Sequence, residues 1–129
     1  MKISYLGPEG TYTEQAAKII LTNEKLEDAT LTPVTSIGHA IAYLVEEVYD
    51  ATVLPIYNTL AGDYQATSKG IAEHRLKIAA TTTLKIEIAI GIHPESSPEE
   101  ITEIWSMDTA LAECSNYLDL TTLELKKLS

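Results

Sequence analysis

Two glycines, a proline and a threonine near the start of the chain have the types and order needed to hold an anion. In the run Gly7-Pro8-Glu9-Gly10-Thr11, the glycines allow a sharp turn and let a ligand approach the backbone closely. The run lies between a short apolar strand pattern at 2–6 and a helical pattern at 13–21. A turn in that position leaves backbone N–H groups bare at a helix N-terminus, whose partial positive charge favours anions. Thr11 also stands three residues before Glu14, the spacing of a capping box. Taken alone, the run is better read as a well-capped helix, because caps far outnumber ligand sites.

Two further clusters carry similar chemistry. The first is Pro55-Ile56-Tyr57-Asn58-Thr59-Leu60-Ala61-Gly62, and the second is Ser106-Met107-Asp108-Thr109. Each offers hydroxyls or an amide, and each adjoins a helix start. In open α/β sheets, ligands gather beyond the carboxyl ends of the strands. Three such loops at one sheet edge would bind a small polyanion without many lysines, with Gly10, Thr11, Asn58, Thr59 and Ser106 as the donors.

The elements that must position these residues alternate. Strands are expected at 2–6, 31–34 and 50–54, with helices at 13–21, after a Ser36 cap, and at 64–74 despite Gly70. The second helix has apolar residues at Ile37, Ala40, Ile41, Leu44 and Val45, the spacing of a buried face. Residues 56–63 read as a loop. The β-prone run 78–92 is expected to hold two strand pieces or a crossover, ended by His93-Pro94. Ser97-Pro98-Glu99-Glu100 reads as a strong helix start. A short strand follows at 103–105, then a helix at 108–118 and a strand at 123–128. This alternation implies an α/β fold with mostly parallel sheets and flanking helices. A crossing between two lobes is placed at the Thr-rich run near residue 81, giving lobes of 1–80 and 81–129.

Composition narrows the function classes. The 129 residues carry nine basic and nineteen acidic side chains, a formal net charge of −10. That argues against nucleic acid and against an anionic membrane surface. A small anionic ligand remains compatible, provided that local donors hold it. Cys114 is the only cysteine, which excludes a disulfide framework and fits a reducing cytoplasm. No signal peptide and no apolar run long enough to span a membrane is present in the sequence. His39, His74 and His93 follow no metal spacing and read as solvated or locally bonded. No metal or cofactor is expected. Glu95, Glu99, Glu100 and Glu103 read as a solvated acidic stretch, Cys114 as a small core residue and Trp105 as core.

With these residues in place, the chain resembles the prephenate dehydratase domain. That family opens with Gly-Pro-x-Gly-Thr-Phe/Tyr-x-x-x-Ala-Ala, matched here by Gly7-Pro8-Glu9-Gly10-Thr11-Tyr12 with Ala16 and Ala17. Its second motif, Val-Pro-Ile-Glu-Asn-Ser-x-x-Gly, is matched by Leu54 through Gly62. A third, Ser-His-Pro-x-Ala-Leu-x-Gln-Cys, is echoed by Ser106 through Cys114 and then Tyr117-Leu118. The resemblance implies a two-lobed fold like type 2 periplasmic-binding proteins, with the ligand between the lobes. It also implies conversion of prephenate to phenylpyruvate, CO2 and water in phenylalanine biosynthesis. The match corresponds to the N-terminal part of that domain, without the ACT domain that most members carry.

The departures are specific. The family's glutamate in the second motif is Tyr57, whose phenol would donate to a carboxylate, and His-Pro of the third is Met107-Asp108. The Thr-Arg-Phe motif that carries the family's catalytic threonine does not occur in these residues. The substrate's two carboxylates therefore have candidate partners in Gly10, Thr11, Tyr57, Asn58, Thr59 and Ser106, whereas the proton donor for the leaving hydroxyl has none. A prephenate decarboxylase of the bacilysin-pathway type and a non-catalytic carboxylate-binding module are the alternative readings. An uncovered sheet edge and apolar surface would favour self-association.

Overall fold

The computed structural model describes residues 1–59 and 62–128. The chain divides into two compact units, Met1–Lys85 and Ile86–Ser129.

The first unit is built on a three-stranded parallel sheet of β1 (Lys2–Leu6), β2 (Thr30–Val34) and β3 (Ala51–Val53), in the order β2-β1-β3. Helix α1 (Tyr12–Asn23) links β1 to β2, and α2 (Ile37–Val45) links β2 to β3. The first crossover runs from the central strand to the β2 edge, and the second runs back across the sheet to β3. Right-handed connections therefore put α1 and α2 on opposite faces of the sheet. A parallel sheet covered on both faces buries consecutive strand residues, and Ile3, Ser4 and Tyr5 of β1 are all buried. The hydroxyl of Ser4, 0% exposed, is satisfied by donating to Thr52 Oγ1 at 2.8 Å. Ala17 and Leu21 of α1, Val34 of β2, and Ala40 and Ile41 of α2 complete the core. Each buried Val, Leu or Ile contributes about 1.5–3 kcal/mol.

Both helices begin where local spacing places them. Thr11 caps α1 by accepting from Glu14 N, and Ser36 caps α2 by accepting from His39 N at 3.1 Å. The His39 ring meets Thr35 Oγ1 at 2.9 Å and stacks on Tyr43, the local bonding expected of it.

The stretch after β3 departs from the expected loop. Tyr57–Asn58 (β4) and Gly62–Asp63 (β5) pair antiparallel, Tyr57 opposite Asp63 and Asn58 opposite Gly62. Gly62 has a φ of +78°, which a side-chain-bearing residue rarely adopts. Leu60 and Ala61 lie outside the described residues. Helix α3 (Gln65–His74) then packs on α2, and Gly70 is buried at that contact instead of weakening the helix. Thr67, 2% exposed, donates from Oγ1 to Pro55 O at 2.8 Å and ties α3 to the hairpin's base.

The second unit contains one parallel pair, β6 (Glu103–Met107) with β7 (Glu124–Leu128). Four expectations need correcting here. Residues 78–92 run across the boundary between the units and contain no strand, so of the two readings the strand pieces fail, because β propensity alone cannot form a ladder without a partner strand. Ser97 opens only one 3₁₀ turn, Pro98–Glu100, with Ser97 N donating to Glu100 at 3.4 Å. Ile101 is already extended, so no helix follows. The helix expected over 108–118 is two pieces, α4 (Asp108–Glu113) and α5 (Ser115–Leu118), broken at Cys114. Leu111 and Leu118 are the buried residues of this unit. Trp105, expected in the core, is 60% exposed, and its indole N–H donates to Glu103 at 3.0 Å.

Candidate functional site

The loops after β1 and β3 leave neighbouring parallel strands in the same direction. Both emerge from the carboxyl edge of the sheet, so topology brings Gly10 and Thr11 to the same edge as Tyr57, Asn58 and Thr59.

The first loop is held by its own backbone. Gly7 N donates to Val34 O at 2.8 Å, anchoring the turn to the end of β2. The Gly7–Pro8 peptide is cis, and Gly10 has a φ of +82°. Thr11 Oγ1 donates to Pro8 O at 2.9 Å and accepts from Glu14 N at 3.3 Å. Gly10 N donates to Glu14 Oε2 at 2.6 Å, and the other carboxylate oxygen pairs with Lys18. The turn therefore already carries a carboxylate, that of Glu14. Its partners hold it below the ordinary carboxylate range, the Lys18 hydrogen bond first and the Gly10 N–H second. Glu14 in turn raises Lys18. Beneath the loop, the Tyr5 phenol is raised by burial and then by Glu14 and Glu9.

Sequence spacing flagged Glu14 as a capping partner of Thr11. In the structure its carboxylate reaches one residue further back, to Gly10. A pH dependence follows. A carboxyl depressed in the folded state contributes stability above its unfolded value, and that contribution is lost as pH falls through the folded value. Wild-type protein should therefore lose melting temperature more steeply than Glu14→Gln as pH is lowered through the acid range, and the two curves should run parallel above it. Parallel curves throughout would show that the Gly10–Glu14–Lys18 contacts carry no folding energy.

The second loop presents Tyr57 at 60% exposure, with Asn58 half-buried and Thr59 exposed. Its following helix, α3, has no side-chain cap bond at Tyr64. Ser106 does not stand in a loop; it is a residue of strand β6 in the second unit. Helix α4 begins directly after that strand, at Asp108, and Met107 provides no side-chain cap. Of the three expected hydroxyl-bearing helix starts, only that at Thr11 is capped by a side chain. Ser106 lines a groove of about 370 Å³ within the second unit, together with Ile90, His93, Trp105 and Cys114. No cluster of three or more His, Cys, Asp or Glu is placed to hold a metal among the described residues. No helix among them is long and apolar enough to cross a membrane.

The chain's likeness to known proteins agrees with the motifs along its length. The family model for prephenate dehydratase matches residues 3–129. A bifunctional chorismate mutase/prephenate dehydratase from Pseudomonas aeruginosa is 29% identical over 119 residues, covering 92% of this chain and 32% of that protein. A prephenate dehydratase from Mycobacterium tuberculosis is 31% identical over 124 residues, covering 92% of this chain and 39% of that protein. The chain thus spans about a third of the length of these relatives. The crystal structure of the prephenate dehydratase from Staphylococcus aureus superposes with a TM-score of 0.75 at 21% identity, over 99% of this chain and 47% of that one. The α/β fold, of the type 2 periplasmic-binding-protein kind, is the one that the motifs imply. By the match of its sequence from residue 3 to residue 129, the chain belongs to the prephenate dehydratase family.

Proposed function

We propose that this chain supplies the substrate-gripping part of a prephenate dehydratase, a lyase of phenylalanine biosynthesis that converts prephenate to phenylpyruvate, CO2 and water. The observation that carries this reading is the emergence of the Gly10–Thr11 turn and the Tyr57–Thr59 hairpin from one sheet edge. Prephenate carries two carboxylates. In this reading the Thr11 hydroxyl and the Gly10 N–H receive one of them, in exchange with Glu14 at the positive end of α1. Tyr57, Asn58 and Thr59 receive the other. Neutral donors suit a chain with a net charge of −10, since they hold an anion without adding lysines. A cytoplasmic setting fits the single reduced cysteine. The residues named here bind and orient; none of them is assigned the proton transfer to the leaving hydroxyl.

The decisive measurement is incubation of purified protein with prephenate, followed by ultraviolet absorbance and product analysis. Phenylpyruvate is the expected product. A non-aromatic decarboxylated acid would identify a decarboxylase instead, and binding without turnover would identify a carboxylate-binding module. Absence of binding would remove the premise shared by all three. At residue level, Thr11→Val should weaken prephenate binding beyond the loss of a helix cap, which costs about 1 kcal/mol of stability. A variant that is less stable but binds prephenate as tightly as wild type would take Thr11 out of the site.

A further inference from the structure

Thr67 and Gly70 are the buried residues of α3, and their spacing puts them on one face of the helix. Gly70 meets Ile41 of α2. Thr67 makes a different contact. A threonine in a helix ordinarily bonds back to a carbonyl of the preceding turn. Thr67 is only the third residue of α3, and its hydroxyl donates instead to Pro55 O at 2.8 Å, twelve residues earlier in the chain. The next carbonyl, Ile56 O, accepts from Tyr64 N at 3.0 Å. The start of α3 therefore holds two successive carbonyls at the point where the chain leaves β3 and enters the β4–β5 hairpin. Pro55 has no N–H of its own to give to a neighbour. The path of the chain into the hairpin thus depends on these carbonyl contacts, and Thr67 supplies the one made by a side chain.

We propose that Thr67 is a positioning residue for the second carboxylate grip: through Pro55 its hydroxyl sets the hairpin that carries Tyr57, Asn58 and Thr59. The inference rests on the prephenate reading, in which those three residues receive a carboxylate. Thr67 has no part in touching the ligand. It passes the seat of α3, fixed on α2 by Gly70 and Ile41, to the donors at the sheet edge. A small displacement of donors that must meet a carboxylate at hydrogen-bond distance costs affinity. A residue that served stability alone would lower the melting temperature and leave the affinity of the folded protein unchanged.

The test compares wild type with Thr67→Val, which keeps the shape and removes the hydroxyl, and Thr67→Ser, which keeps the hydroxyl. Prephenate binding is measured by calorimetry at a temperature where each protein is folded. Thr67→Val should bind about tenfold more weakly, the worth of one buried hydrogen bond. Thr67→Ser should recover most of that loss. If Thr67→Val does not fold, Thr67→Cys replaces it, since a thiol is a weak donor, and the same loss is expected. In the unliganded proteins, hydrogen exchange at the Tyr64 amide should be faster in Thr67→Val than the change at the β1 amides accounts for, and Thr67→Ser should restore it. Wild-type affinity in the folded valine or cysteine variant would overturn the proposal, as would a Tyr64 amide that changes only with the β1 amides. A serine variant as weak as the valine variant would do the same, because the hydroxyl would then not be the group that matters. Each of these results leaves the prephenate reading standing. Absence of prephenate binding by wild type is a different failure: it removes that reading, and the positioning role with it.

Discussion

Gly70→Ala will destabilise the protein by about 1–3 kcal/mol, the usual result of forcing extra volume into a packed interior. At an exposed helical site the same substitution stabilises by about 0.5–1 kcal/mol, so the sign is the informative quantity. A Cβ on Gly70 would lie 2.1 Å from Ile41 Cδ1 and 3.2 Å from Ile41 Cγ1. Ile41 is buried between α2 and α3, which leaves its terminal methyl little room to retreat. Ile41→Val removes that methyl and should cost about 0.5–1.5 kcal/mol alone. The double variant should be more stable than the sum of the two losses predicts, with a coupling of about 0.5–3 kcal/mol. Urea denaturation of the four proteins measures this directly. Simple additivity would show that α2 and α3 adjust without strain, and that the glycine answers to something other than this contact.

The second large effect falls on the turn that carries the proposed carboxylate grip. Gly7→Ala should cost about 1–3 kcal/mol by overpacking, and more if the 2.8 Å bond from Gly7 N to Val34 O is lost with it. The new methyl would meet Pro33 Cβ at 2.9 Å and Val34 O at 3.2 Å. Neither obstacle is the end of a flexible side chain. One is fixed in a pyrrolidine ring and the other is backbone. Because the Gly7–Val34 bond is also what seats the loop at the sheet edge, the variant should lose hydrogen-exchange protection at Gly10 and Glu14 beyond the global loss. A variant with wild-type stability would mean that β2 yields at Pro33, and that the loop is not held by this contact.

These contacts mark the boundary between what local spacing can announce and what only packing reveals. The caps at Thr11 and Ser36 were legible because a cap depends on residues three apart, all visible in sequence. The alternation of strands and helices in residues 1–74 was legible for the same reason. Its apolar periods are long and separated by clear turn residues. The β4–β5 hairpin was not, because two-residue strands leave no period to read. Residues 78–92 misled in the opposite way. Their β-branched run states a preference, whereas a strand also requires a neighbour to bond. Trp105 was assigned to the core because it is large and apolar, yet β6 presents it outward beside Glu103.

The candidate site divides similarly. Thr11 and Gly10 stand where the motif put them, and the hairpin residues share their sheet edge. Ser106 lies within a strand of the other unit, because β6 runs two residues further than its apolar pattern suggests. That Glu14 would take the Gly10 N–H, and not that of Thr11, depends on the turn's backbone angles, which residue types alone do not determine.

Finally, the hydroxyl pair at the centre of the first sheet bears on alignment. Ser4 lies directly opposite Thr52 across β1 and β3. Sliding β3 by one residue would set Ser4 against Ala51 or Val53 and turn Thr52 to the other face. The buried Ser4 hydroxyl would then lose its Thr52 acceptor, at a cost of about 1–3 kcal/mol. Apolar residues in both places would pack almost as well out of step. The pair therefore works as a proofreading contact, giving weak discrimination among hydrophobic alternatives a polar penalty for the wrong frame.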